Sequence, residues 1–135
     1  MVDLMMSLNI WAILVAAVVY FILGGIWYSL LFTKAWMKLR GVTEEDIGEP
    51  NVLVFVWTFL LQIVAVGTLA AFLQAMDLDT AWHGAMMGFG TGVGIIYTLT
   101  GSTALFSDTR PALHAIDNGY HVAGLTIAGA VLGAW

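Results

Sequence analysis

The sequence predicts an all-α membrane protein, a bundle of four transmembrane helices with both termini outside. Three observations predict it. Of the 135 residues, 61% are hydrophobic and only 10% charged, where a soluble domain carries roughly 25% charged residues. Uncharged stretches run from Leu4 to Thr33, from Pro50 to Met76 and from Thr80 to Ser107, and a fourth, from Pro111 to Trp135, holds Asp117 as its only charge. Each exceeds the roughly 20 residues that take a helix across the hydrocarbon core. Finally, all four Lys and Arg residues fall in two segments, one after the first stretch and one before the last.

The elements follow in order along a single domain, residues 1–135. Met1-Val2-Asp3 lacks the basic region of a cleavable signal peptide, so the first apolar run is read as a retained span over 7–32. Beyond it lies a cytoplasmic loop with an interfacial helix, 33–49. Phe32, Ala35, Trp36 and Leu39 recur at helical spacing, with Lys34, Lys38 and Arg40 mostly elsewhere on the wheel. Gly41 ends that helix, and Thr43 to Asp46 has the form of a capping box opening another short turn. This loop reads either as a membrane anchor, with Trp36 at headgroup level, or as a lipid or partner contact. The second span covers 50–76, the third 81–104 and the fourth 111–134. Pro111 suits a first helical turn, with Asp108 or Thr109 as caps.

Direction comes from the basic residues. Lys34, Lys38 and Arg40 sit in the first loop and Arg110 in the third, while Asp77-Leu78-Asp79 between spans two and three has none. Cytoplasmic loops are enriched in Lys and Arg, which puts the first and third loops inside.

Span association in lipid relies on close backbone approach and polar contacts. Gly84, Gly88 and Gly92 recur every four residues in the third span, and Gly129 and Gly133 do so in the fourth. Gly90 and Gly94 form a second smooth face, which predicts a central position for the third helix. The Gly88–Gly94 run is no dinucleotide loop, because it lies inside an apolar span with no basic residue nearby.

Composition also excludes function classes. A net charge of −5 argues against a nucleic-acid partner. Cysteine is absent, so no disulfide, thiolate nucleophile or thiolate metal site exists. Ser102 and Ser107 have no base and orienting acid at a recognised spacing, so enzyme chemistry is poorly supported and no cofactor is predicted.

One constellation remains. His114, Asp117, Asn118 and His121 fall within an arc of about 100° on the fourth helix. A charge at the bilayer midplane costs about 2.5–3.5 kcal/mol, so the stripe should face the bundle interior or a wet cavity. Counting depth at about 1.5 Å per residue places Asp117 level with Trp27, Tyr28, Thr58, Tyr97 and Thr98, and His121 near Gln62. Three readings stay open: a network that fixes packing, a proton- or ion-linked pathway, and a metal site formed by His114, Asp117 and His121. They correspond, in that order, to a structural or assembly subunit, a transport or permeation protein, and a metal-binding protein. A bundle this small has little interior, which predicts a homo-oligomer, a dimer, in the lipid bilayer. Its small-molecule or ion substrate is not legible.

Two motifs carry a resemblance. Leu23-Gly-Gly-Ile-Trp27-Tyr28-Ser29, with Phe32, Trp36-Met37 and Gly41, resembles the start of a bacterial membrane family of unknown function, the domain-of-unknown-function 1761 family. Ile116-Asp117-Asn118-Gly119-Tyr120-His121, Gly129 and Gly133-Ala134-Trp135 resemble its C-terminal end. The resemblance implies a small four-span protein of the cell (inner) membrane and implies no activity. In the four-span topology both motifs map to the cytoplasmic half of the bundle, where Trp27–Tyr28 and Asn118–His121 are expected to meet.

Overall fold

A computed structural model describes residues 1–135. The chain is all helix, with no strand. A short α1, Val2–Met6, precedes α2, Ile10–Ile26, whose first N–H groups at Trp11 and Ala12 are capped by the Asn9 side chain. At its far end α2 widens into a π turn, Trp27–Leu31. There follow α3, Thr33–Arg40, and α4, Glu44–Ile47. Helix α5 is Val52–Ala75. Helix α6, Ala81–Thr91, continues through a second π segment, Gly92–Tyr97, into α7, Thr98–Phe106. Helix α8 is Pro111–Ala134.

Three of these stretches, Ile10–Leu31, Val52–Ala75 and Ala81–Phe106, are long and apolar enough to cross a membrane. Only 21 of 135 residues are buried, so the bundle turns its large apolar side chains outward; Trp11, Leu61, Val64 and Leu99 are each more than 60% exposed. Exposed apolar surface on this scale marks a membrane-facing exterior. Helix α8 matches α5 in length, at 24 residues, but its polar stripe makes it less apolar than the other three.

Helix α8 is the innermost element. It packs most extensively on α6, then on α2, and also touches α5, α3, α7 and the second π segment. Its junction with α6 is backbone on backbone. A Cβ added at Gly84 would strike the Gly129 carbonyl, one at Gly88 the Leu125 carbonyl, and one at Gly133 the Thr80 carbonyl. The glycine spacing therefore locates a close helix pair. The expectation that the third helix is central is corrected, because nothing lies within 4 Å of a Cβ at Gly90 or Gly94. That face is open, and the central place belongs to α8. The residues proposed to cap it are also corrected. Pro111 does occupy the first turn, but the N-cap is Arg110 without a side-chain bond, and Asp108 adopts a positive φ of 52°.

Two turns shape the α3 region. Gly41 ends α3 in the left-handed conformation, φ 68° and ψ 31°, which glycine adopts without a Cβ penalty. Thr43 then caps α4 through a reciprocal box with Asp46.

Candidate functional site

The polar stripe of α8 faces its neighbours, and each of its side chains finds a partner inside the chain. Asp117 accepts two hydrogen bonds on Oδ1, from the Tyr28 hydroxyl at 2.8 Å and from Trp36 Nε1 at 3.1 Å. Both donors are neutral. Trp27 Nε1 donates to the Ile116 carbonyl at 3.0 Å. The adjacent residues Trp27 and Tyr28 thus both reach α8, because the π turn, closed by Phe32 N–H to Trp27 C=O, opens the helix at that point. The Thr33 hydroxyl occupies the Tyr28 carbonyl at 2.6 Å, supplying a donor where the regular helix pattern breaks.

A second cluster lies deeper. Tyr20, 3% exposed, pairs its hydroxyl with His121 Nδ1 at 2.5 Å. Gln62 Nε2 donates to the Tyr120 hydroxyl at 2.6 Å, and that hydroxyl donates to the Tyr20 carbonyl at 3.1 Å. Close approach requires small residues here too. A Cβ at Gly124 would overlap the Tyr20 ring, and one at Gly24 would come 2.7 Å from the Tyr120 hydroxyl. The rings of Tyr20, Tyr28, Trp27 and His121 all lie 5.0–6.2 Å from that of Tyr120.

The third cluster sits on the other flank of α8. The His114 ring stands edge-on to Tyr97, 4.5 Å between centroids, and its Nε2 is 3.1 Å from Thr100 Oγ1. The Thr100 hydroxyl proton is committed to the Ile96 carbonyl at 2.7 Å, so His114 is the donor of that pair. Asn118 Nδ2 turns back to the His114 carbonyl at 3.2 Å.

Of the residues singled out in the sequence, Trp27, Tyr28, Gln62 and Tyr97 all pack against α8, but they divide among these clusters. Gln62 meets Tyr120 and not His121. Thr58 and Thr98 bond carbonyls of their own helices and stay outside. The metal set is corrected: His114 is drawn toward α7, Asp117 toward α3 and His121 toward α2, and no group of three His, Asp or Glu side chains gathers to hold an ion. The sequence reading missed Tyr20, Tyr120 and Thr100 as partners. It placed Trp36 at headgroup level, where the structure turns its indole inward to Asp117. Tyr120 had a signal, since it lies within the Asp117–His121 motif.

No curated protein and no solved structure matches this chain. The family described as "Protein of unknown function (DUF1761)" matches residues 11–133, which include every residue of the three clusters. The chain belongs to the DUF1761 family.

Proposed function

We propose that the chain crosses the inner cell membrane four times with both termini outside, and that Asp117 is the proton- or cation-binding group of a small transport or permeation protein. The observation that carries this is Asp117 itself. It is a carboxylate on the innermost helix whose two hydrogen bonds both come from neutral donors and both fall on Oδ1, leaving Oδ2 for a proton or cation. A group needed only to join helices would be chosen at less cost as Asn, Ser or Thr, because an intramembrane acid costs about 2.5–3.5 kcal/mol to insert. A fourth crossing by α8 is supported by its 24 residues and by its packing alongside α2 and α6. A homodimer would supply a second wall to a path beside Asp117.

The test is flux in proteoliposomes under an imposed pH gradient. Asp117→Asn, which keeps an acceptor for Tyr28 and Trp36, is expected to abolish proton-linked flux while helix content by circular dichroism is unchanged. Equal flux through both proteins would end the proposal.

A second reading, internal glue in a structural or assembly subunit, is favoured by the engagement of His114, Asn118 and His121 within the chain. It predicts the opposite pattern, loss of folding on removal of Asp117 or Asn118 together with co-purification of a larger membrane complex.

A further inference from the structure

The outer side of α3 carries a feature the Asp117 cluster does not use. A groove of about 770 Å³ opens where the first apolar stretch ends, and its lining includes Ser29, Leu30, Leu31, Thr33, Lys34 and Glu44. Its composition is ordered along the chain. Leu30 and Leu31, 78% and 60% exposed, close the apolar stretch, and Lys34 follows within one turn. Glu44 arrives from the next element, because Gly41 reverses the chain at φ 68° and the Thr43–Asp46 box starts α4 there. Lys34 and Glu44 are both exposed. The groove thus offers a cation, an anion, the Ser29 hydroxyl (that of Thr33 is held by the Tyr28 carbonyl) and an apolar floor at the end of a stretch long and apolar enough to cross a membrane.

We propose that this groove binds the headgroup of an aminophospholipid. The phosphate lies against the Lys34 ammonium and the Ser29 hydroxyl, the primary ammonium donates to the Glu44 carboxylate, and the acyl chains run along Leu30 and Leu31. The occupant is chosen by charge. An anionic headgroup satisfies Lys34 but brings a negative group toward Glu44, with Glu45, Asp46 and Glu49 close in sequence. A choline headgroup has the positive charge but no N–H to donate to Glu44. Only a zwitterion with a primary ammonium answers both ends of the groove. The inference is independent of any transport activity, although α3 links the two sites: its inner side presents Trp36 to Asp117.

The experiment is native mass spectrometry of the full chain in detergent, with equal amounts of phosphatidylethanolamine, phosphatidylglycerol and phosphatidylcholine. Phosphatidylethanolamine is expected to be retained about three- to fivefold over the others, the scale of one exposed charge pair. Glu44→Gln should erase that preference, and Lys34→Gln should weaken retention of all three lipids. Both positions are exposed, so neither change threatens the fold. Retention of phosphatidylglycerol equal to or above phosphatidylethanolamine overturns the proposal. So does a preference that survives Glu44→Gln, or retention unaffected by Lys34→Gln.

Discussion

At Gln62 the placement of each proton decides what a substitution does. Its Nε2 donates to Tyr120, whose own proton goes to the Tyr20 carbonyl, and this leaves Gln62 Oε1 buried with no partner. An unpaired buried acceptor costs about 1–3 kcal/mol. Gln62→Leu removes the orphan together with the donor, and is expected to stay within about 0.6 kcal/mol of the parent, the mean worth of a polar contact between membrane helices. Tyr120→Phe leaves both ends of the amide unpartnered and should destabilise by about 1–2 kcal/mol. Denaturation in mixed micelles gives the order, and a larger loss from Gln62→Leu would show that Oε1 has a partner. Asp46 lies outside the spans and titrates for a different reason. The Thr43 N–H and then the Thr43 hydroxyl donate to its carboxylate and hold its pKa below the usual carboxylate value. A depressed folded value means the box stabilises α4 above the ordinary carboxylate range and is lost as pH falls through the lowered value. The Thr43 amide resonance is therefore expected to move below about pH 4, and to stay put over that range in Asp46→Asn.

At the scale of elements, one glycine rule gives two opposite outcomes. A Cβ at Gly84, Gly88 or Gly129 meets a carbonyl of the facing helix, and backbone cannot swing aside. Gly84→Ala, Gly88→Ala and Gly129→Ala should each cost about 1–3 kcal/mol by forcing α6 and α8 apart. Gly90→Ala and Gly94→Ala meet nothing and gain helix propensity, so they should be neutral or stabilising by up to about 1 kcal/mol. Thermal unfolding in detergent separates the two groups, and a marked loss at Gly90 or Gly94 would reveal a partner on the open face. The same contrast explains what was legible in the sequence. Four-residue glycine spacing reports that a face is smooth, and it located the α6–α8 junction; it carries no information on whether anything covers that face. Depth counting brought Tyr28 to Asp117 because Tyr28 lies only two residues past the regular helix α2 and Asp117 lies within α8, both of known rise. It could not bring Trp36 there, since that contact depends on the π turn and the break at Phe32, where φ is −124°. No side-chain pattern marks a π turn, and so two such segments, one delivering Trp27 and Tyr28 to α8 and the other Tyr97, were invisible. Tyr20 was hidden for another reason. In an apolar run its ring counts as core, and only the fold shows that its hydroxyl faces His121.

For the whole molecule, apolarity and centrality run in opposite directions. The three most apolar stretches turn most of their surface outward, and α8, the least apolar of the long helices, packs between α6 and α2 and also touches α5. A helix walled by other helices has little lipid to satisfy, so it can hold His114, Asp117, Asn118 and His121 where an outer helix could not. Hydropathy alone scores a helix in this position low for a physical reason, and whether α8 crosses is the point to measure. The chain has no cysteine, so single cysteines report position without background. With four crossings, Lys38→Cys and Arg110→Cys lie on one side, and Asp79→Cys and Trp135→Cys on the other. In sealed right-side-out vesicles, an impermeant maleimide is expected to label Asp79→Cys and Trp135→Cys directly, and the other two only after permeabilisation. Trp135→Cys carries the decision. If it labels together with Arg110→Cys, α8 does not cross, its acid does not lie within the membrane, and a role for Asp117 in moving ions across it has no basis.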